Sequence, residues 1–184
     1  MILDQNPPTS PLRFPGSKSR VIKKLLPYLD IPHTEYREPF LGGGSIFLTK
    51  KLAPNNWLND KDENLATLWK VIRDKPEKLC EEIRSTQPTV ELWRKIKNTE
   101  YNKDYKKAFK YLFLNRTNFS GIIDANPIGG LEQKSKYKID CRWIPDTLIK
   151  RIYNCSQKLQ NVKITSYDYK KLLDEDKTDG KEVF

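Results

Sequence analysis

The chain has 184 residues, enough for one ordinary domain or for a core with a moderate insertion. No apolar run approaches the roughly 18 residues of a membrane span, and the proline-rich start lacks the apolar block of a signal peptide, so we expect a cytoplasmic protein. A net charge of +10 favours a polyanionic partner such as nucleic acid. Three cysteines without a CxxC pair and a single histidine argue against disulfides, a metal site and histidine-based catalysis.

The first sixty residues predict alternating helices and strands. Residues 18–29 carry apolar side chains at helical spacing, and residues 36–40 are typical of a strand. Three glycines follow, a helix is predicted over 45–52, and a second short strand at 57–58 ends in Asn59-Asp60. This order is the opening of an open α/β fold.

The middle of the chain predicts helices without strands between them. Four apolar stripes run from about residue 62 to 113, and the last two are lysine-rich with interleaved aromatic residues. Residues 115–140 are dense in glycine, proline and asparagine and predict a long loop or hairpin, which is more often functional than idle. A helix from Pro145, a strand at 162–164, a short helix at 167–173 and a strand starting at 183–184 complete the pattern.

The glycine turn lies in residues 38–47, EPFLGGGSIF, between two apolar segments. Bare amides at such a turn can approach a ligand, and the following helix dipole favours a negative group. Asp60 follows about twenty residues later, the spacing at which an acid accepts hydrogen bonds from ribose hydroxyls. A structural turn without a ligand is the alternative, and Asp60 could instead cap the next helix, a role that Asp62 fills equally well.

Residues 14–18, FPGSK, form a further candidate. Backbone amides and Lys18 could bind an anion there, but a Walker motif is excluded because the lysine follows a serine and the second glycine is missing. The alternative is an ordinary helix start.

The segments FPGSK, EPFLGGGSIF, LNDKDENL, YLFLNRTNFSG and ITSYDY follow one another in this order. With this spacing the chain, from about residue 12 to 184, resembles the Dam-type N6-adenine DNA methyltransferases. The resemblance implies an α/β, Rossmann-like S-adenosylmethionine-dependent methyltransferase core with an inserted helical and hairpin target-recognition domain. Residues 1–62 would form the first part of the core, 63–140 the insertion and 141–184 the return to the core. It also implies double-stranded DNA as the partner and adenine N6 as the methylated atom.

The resemblance implies two sets of site residues. For the cofactor, Phe14 stands where the family commonly has tryptophan, Asp60 would bind the ribose, and Ser166 and Tyr167 would lie near the adenine ring. The full set is Phe14, Gly16, Lys18, Phe40, Gly42, Gly44, Asp60, Ser166 and Tyr167. Those for DNA begin the reading hairpin and are Arg116, Asn118, Phe119 and Ser120. Structural roles remain open for two of them, since Arg116 could only pin the insertion to the core and Phe119 could be buried.

The chain departs from the family in one respect. The family's chemistry depends on Asp-Pro-Pro-Tyr, whose acid and proline carbonyl accept hydrogen bonds from the target amino group and whose tyrosine stacks on the flipped adenine. This sequence contains no such motif, and the nearest stretch, at 124–127, lacks the second proline and the aromatic residue. We therefore expect no catalytic residue in this chain, and we expect a fragment, a disrupted gene or a split enzyme whose second chain supplies the missing strand.

Two other functions stay open. A non-catalytic DNA-binding module would use the charge and the insertion without chemistry. A nicotinamide-dependent enzyme is the weaker alternative, because the glycine spacing departs from GxGxxG and the basic insertion would be unexplained. Asp124, an acid in a DNA-facing hairpin, would favour a cytosine amino donor, so the recognised sequence could differ from the commonest one in the family.

Overall fold

The computed structural model describes residues 7–18, 21–175 and, for the backbone alone, 182–183. At its centre lies a four-stranded parallel sheet of β1 (Glu35–Glu38), β2 (Asn55–Asn59), β3 (Lys163–Thr165) and β4 (Glu182–Val183). The strand order is β3-β2-β1-β4, with Tyr36 beside both Asn56 and Val183. This is the order of a doubly wound dinucleotide-binding fold, and it confirms the predicted α/β class. Phe184, predicted to belong to the last strand, lies outside the described residues.

Eight α-helices and one 3₁₀ turn are found in the described part of the chain. They are α1 (Ile22–Leu29), α2 (Ser45–Thr49), α3 (Glu63–Asp74), α4 (Pro76–Arg84), α5 (Val90–Asn98), α6 (Asp104–Thr117), the 3₁₀ turn Phe119–Gly121, α7 (Pro145–Lys158) and α8 (Tyr169–Asp174). The helix α2 is shorter than predicted, because Lys50 turns to an extended conformation with ψ of 160°. None of these helices is long and apolar enough to cross a membrane.

Capping residues set where the helices start. The Asp62 carboxylate caps α3 by accepting hydrogen bonds from the amides of Asn64 and Leu65 at 2.9 and 3.2 Å. Pro76 and Pro145 occupy the first turns of α4 and α7, where the missing amide hydrogen costs nothing. The helices α3 and α4 are therefore separate elements, as the position of Pro76 predicts.

The hydrophobic core lies between the sheet and the helices that follow β2 and precede β3 in the chain. The helix α3 packs against α6, α7 and β3, and its buried residues include the predicted stripe of Leu65, Leu68, Trp69 and Ile72. Helix α6 is buried on nearly all sides from Ala108 to Thr117, so its apolar residues do not form a single stripe. Because α3 contacts β3 as well as the helices α6 and α7, the domain divisions after residues 62 and 140 stay predictions.

The irregular segment after α6 folds back on that helix. An isolated antiparallel bridge pairs Asn118 with Pro127, and turns then lead to Trp143. The Trp143 ring packs edge-on against Phe109 and Phe113, with ring centroids 6.2 and 5.4 Å apart. The predicted loop or hairpin is therefore a loop that carries one bridge within the described residues.

Candidate functional site

The glycine turn connects the carboxyl end of β1 to α2 in a conformation that needs glycine. Gly42 and Gly44 have φ angles of 49° and 68°. A Cβ on Gly44 would lie 3.0 Å from the Trp69 ring, and one on Gly42 would lie 3.0 Å from the Phe14 ring. The Trp69 indole also donates a hydrogen bond to the Gly42 carbonyl at 3.0 Å. Two aromatic rings thus enclose the turn, and Gly42 to Gly44 are buried, with the Gly42 and Gly44 amides bonded to Asp60 and to the Leu41 carbonyl. Since α2 has only five residues, its helix dipole contributes little to the site.

Asp60 lies at the end of β2 and bonds directly to this turn. One carboxylate oxygen accepts the Gly42 amide at 2.8 Å, and the other accepts the Asp62 amide at 3.1 Å. Each oxygen retains capacity for a further hydrogen bond. Asp62 rather than Asp60 caps α3, so the two acids have separate roles. The Asp60 carboxylate lies at the carboxyl ends of the strands.

Asn59 holds the carboxyl ends of the strands together, a role that the sequence prediction missed. Its amide nitrogen donates to the Pro39 and Tyr167 carbonyls at 3.1 and 3.0 Å. Its oxygen accepts the Tyr167 amide at 2.8 Å and the Thr165 hydroxyl at 2.7 Å. The signal available in the sequence was the asparagine immediately before the acid of LND, and the structure buries it fully.

Exposed aromatic rings surround the same edge of the sheet. Phe40 is 69% exposed, and its ring centroid lies 5.4 Å from that of Tyr169. Tyr167 follows β3, with the Lys171 ammonium 3.9 Å from its ring centroid. Ser166 precedes it and is half-buried. Aromatic rings beside a carboxylate that can accept further hydrogen bonds suit a ligand that combines an aromatic ring with hydroxyl groups.

Of the residues in FPGSK, the structure brings Phe14 to the turn. Its ring covers Gly42 and Gly43. Gly16 has φ of 77°, which explains the glycine, but no atom within 4 Å would meet a Cβ there. Lys18 is exposed, and no contact with the glycine turn is found for Gly16 or Lys18 among the described residues.

A buried acid lies in the strand that leads to the turn. The Tyr36 hydroxyl donates to the Glu38 carboxylate at 2.8 Å. Burial raises the pKa of Glu38 to about 7, although the Tyr36 hydroxyl, the Phe47 amide and the Lys50 ammonium counteract it. The Lys50 ammonium also lies 4.2 Å from the centroid of the Tyr36 ring. The Glu38 carboxyl is thus a proton-binding group near neutral pH, close enough to Asp60 for the Asp60 charge to raise its pKa further.

Two of the predicted DNA-reading residues have buried structural contacts. Arg116 donates from Nε and Nη2 to the Arg142 carbonyl at 3.0 and 2.6 Å, which pins α6 to the segment before α7. Asn118 is fully buried; it accepts the Trp93 indole at 2.6 Å and donates to the Ile122 and Ile123 carbonyls. These contacts favour the structural alternative for Arg116 and give Asn118 the task of shaping the turn.

The other two lie on the surface of that turn. Phe119 is 67% exposed, so the alternative that it is buried is wrong. Ser120 is exposed with φ of 55°, and Ile122 beside it is 48% exposed. The turn therefore presents apolar side chains to solvent on a rigid, hydrogen-bonded base. Within the described residues no group of three or more His, Cys, Asp or Glu side chains could hold a metal ion.

The strand order, the glycine turn at the carboxyl end of β1 and the acid at the end of β2 define a Rossmann-like core. The chain belongs to the D12 class of N6 adenine-specific DNA methyltransferases, whose family model matches residues 14–184. This match confirms the resemblance seen in the sequence motifs.

Proteins named as methyltransferases are similar to this chain in sequence. The type II methyltransferase M.MjaIII of Methanocaldococcus jannaschii is 24% identical over 190 residues, which cover 89% of this chain and 63% of that protein. The type II methyltransferase M1.LlaDCHI of Lactococcus lactis subsp. cremoris is 24% identical over 175 residues, covering 89% and 60%. A DNA N-6-adenine-methyltransferase of Escherichia phage P1 is 29% identical over 123 residues, covering 64% and 16%. The chain thus spans about three fifths of the length of the two type II relatives.

Proposed function

We propose that this chain supplies the cofactor-binding and DNA-binding parts of an enzyme that transfers a methyl group from S-adenosylmethionine to adenine N6 in double-stranded DNA. The observation that carries the proposal is the 2.8 Å hydrogen bond between the Gly42 amide and the Asp60 carboxylate. It couples the bare turn after β1 to the acid after β2, the two features of a nucleoside-binding crevice in this fold.

The residues present fit S-adenosylmethionine, which when bound supplies a methyl group on a positively charged sulfur. Asp60 would accept hydrogen bonds from the ribose hydroxyls through its remaining lone pairs. Ser166 and Tyr167 would contact the adenine ring, together with Tyr169, which the sequence prediction did not include. Phe40, predicted on the methionine side, lies beside Tyr169 with ring centroids 5.4 Å apart. Phe14, Gly42 and Gly44 would enclose the methionine side, and Gly16 and Lys18 would position Phe14 from the same segment.

This chain's own contribution to the reaction is positioning. The Phe14 and Trp69 rings pack against the glycine turn, and Asn59 keeps the strand ends in register. Acceptors for the adenine amino group are expected in the Asp-Pro-Pro-Tyr motif, which the sequence lacks. We therefore propose that these 184 residues alone bind the cofactor and DNA but do not transfer the methyl group.

The exposed turn after α6 is the proposed DNA-reading element. Phe119 and Ser120 would contact the bases or the backbone directly, whereas Arg116 and Asn118 would act by holding the turn. Exposed Asp124 would accept a hydrogen bond from a cytosine amino group. The net charge of +10 supports binding to the phosphate backbone.

The test is calorimetry with S-adenosylmethionine on the 184-residue chain, with Asp60→Ala compared with Asp62→Ala. Asp60→Ala removes the proposed ribose acceptor and should weaken binding by about 1–3 kcal/mol. Asp62→Ala removes the cap of α3 and the acceptor of the buried Tyr111 hydroxyl, so it should lower the free energy of unfolding by about 1–3 kcal/mol and leave the affinity unchanged. Equal affinities for wild type and Asp60→Ala would remove Asp60 from the site.

A methyl-transfer assay separates the enzyme from a non-catalytic DNA-binding module. With labelled cofactor and duplex DNA, the 184-residue chain should bind DNA without labelling it, and a chain extended through an Asp-Pro-Pro-Tyr segment, supplied in the same or a second polypeptide, should label it. Labelling by the 184 residues alone would contradict the proposed inactivity, and a failure of the extended chain to label DNA would favour the binding module.

A cytoplasmic location stays a prediction.

A further inference from the structure

Four arginines from distant parts of the sequence meet around the segment that precedes Phe14. Arg116 of α6 donates to the Pro11 carbonyl at 3.5 Å, and Arg151 of α7 donates to the Ser10 carbonyl at 3.3 Å. Arg13 lies in the segment itself, and Arg142 is joined to Arg116 through its carbonyl. We call Arg13, Arg116, Arg142 and Arg151 the arginine cluster.

The arginine cluster has no acidic partner among the residues that the structure describes. Its guanidinium groups donate only to carbonyl oxygens, and the ion pairs found in the described chain involve none of the four. Burial and the neighbouring Arg151, Arg13 and Arg142 lower the pKa of Arg116 to about 10, and burial and Arg142 lower that of Arg13. The four charges thus repel one another, and the Cys141 side chain offsets this only in part.

The arginine cluster opens to solvent beside the exposed turn after α6. Arg13 donates from Nη1 to the Asn118 carbonyl at 3.1 Å, immediately before Phe119. The Arg13 carbonyl would lie 2.5 Å from a Cβ on Gly121, so the segment and the turn are in close contact. Arg142 is exposed, Arg13 and Arg151 are half-buried, and Arg116 is buried beneath them.

We propose that Arg13, Arg142 and Arg151 form a binding site for a backbone phosphate of duplex DNA, with Arg116 as the buried support that positions Arg142. Planar guanidinium groups match phosphate oxygens bidentately, and an anion would relieve the mutual repulsion of the arginine cluster. The commitment to DNA rests on the proposed function and on the position of the arginine cluster beside Phe119.

Arg142 gives the sharpest test because its carbonyl is structural and its guanidinium has no partner among the described residues. Arg142→Gln should therefore retain the fold while removing one phosphate contact. Measured by fluorescence anisotropy with a short labelled duplex, its affinity should fall roughly eight-fold near 0.1 M salt. The slope of log K against log salt should become shallower by about one unit.

Lys51→Gln is the matched control, since it removes one positive charge from an exposed side chain with no contact to the arginine cluster in the described structure. Its affinity and salt slope should stay close to those of the wild type. In the absence of DNA, Arg142→Gln should melt at the wild-type temperature or above it, because repulsion is relieved. Inorganic phosphate alone should raise the melting temperature of the wild type more than that of Arg142→Gln.

The outcomes separate the two proposals. If the wild type binds duplex DNA but Arg142→Gln matches Lys51→Gln in affinity and slope, the phosphate site is overturned and the proposed function is untouched. If the wild type binds no DNA in any salt, both fail. A lower melting temperature for Arg142→Gln with unchanged DNA affinity would mean that the arginine cluster only stabilises the fold, and it would overturn the proposed phosphate site.

Discussion

Asp60 and Asp62 lie two residues apart at the end of β2, yet their carboxylates have different partners. Asp62 adopts extended angles, with φ of −70° and ψ of 104°, and caps α3. Asp60 precedes that bend and bonds to the glycine turn instead. The residue types predict that one acid caps the helix and one faces the site, but only the backbone geometry assigns the roles.

Arg116 and Asn118 show what residue type cannot predict. Both are polar residues in a segment rich in turn-forming residues, and both are buried because partners distant in sequence, Arg142 and Trp93, meet them in the fold. Phe119, the apolar residue, is the exposed one. This inversion of the usual burial preference is the observation behind the proposal that the turn binds a partner.

The buried Glu38 makes stability depend on pH. Its pKa rises from the ordinary 4.5 to about 7 in the fold, so between these values the folded chain holds a proton that the unfolded chain has lost. Stability should therefore fall as pH rises through this window, by up to about 3 kcal/mol. We predict that Glu38→Gln, measured by urea unfolding without cofactor, is more stable than the wild type at pH 8 and loses that advantage near pH 5.

Glu91→Gln is the control for this experiment. Glu91 is exposed in the first turn of α5, where a carboxylate interacts favourably with the helix dipole. Its replacement should cost less than about 1 kcal/mol at neutral pH, opposite in sign to the effect of Glu38→Gln. Equal pH profiles for the wild type and Glu38→Gln would contradict the assignment of a raised pKa to Glu38.

At the scale of elements, the spacing of apolar residues and the positions of proline and turn-forming residues predicted most of the fold. Pro76 and Pro145 start helices, Asn59-Asp60 ends β2, and the stripe of α3 faces the core. The end of α2 and the all-round burial of α6 could not be predicted. Both depend on which elements pack against them, and a local apolar pattern contains no such information.

The glycine turn gives a prediction at this scale. Gly44→Ala puts an alanine in the left-handed region of φ and its Cβ 3.0 Å from the Trp69 ring. Gly130→Ala has a similar φ of 73°, but no atom lies within 4 Å of its Cβ. Gly130→Ala should cost about 1 kcal/mol of unfolding free energy from backbone strain alone. Gly44→Ala should cost about 1–3 kcal/mol more, because the Trp69 ring must move.

Urea unfolding of both variants, followed by circular dichroism, measures this difference. Cofactor calorimetry should also show weaker binding for Gly44→Ala and unchanged binding for Gly130→Ala. Equal unfolding free energies for the two variants would mean that the turn tolerates a side chain and is not the rigid element described here.

At the scale of the molecule, one topological rule brings the site together. Parallel strands in the order β3-β2-β1-β4 place the ends of β1, β2 and β3 along one edge, so residues more than a hundred positions apart become neighbours. The motif order along the chain predicted this edge. The contact of Arg13 with the turn after α6 was not predictable, because no pattern in the sequence links them.

A crystal structure of the 184-residue chain soaked with S-adenosylmethionine tests the central claim most directly. We predict the methionine part against Gly42–Gly44 and Phe14, and both ribose hydroxyls within hydrogen-bonding distance of the Asp60 carboxylate. Cofactor bound elsewhere on the molecule, or a crevice filled by the protein's own side chains while the cofactor stays in solution, would contradict the account.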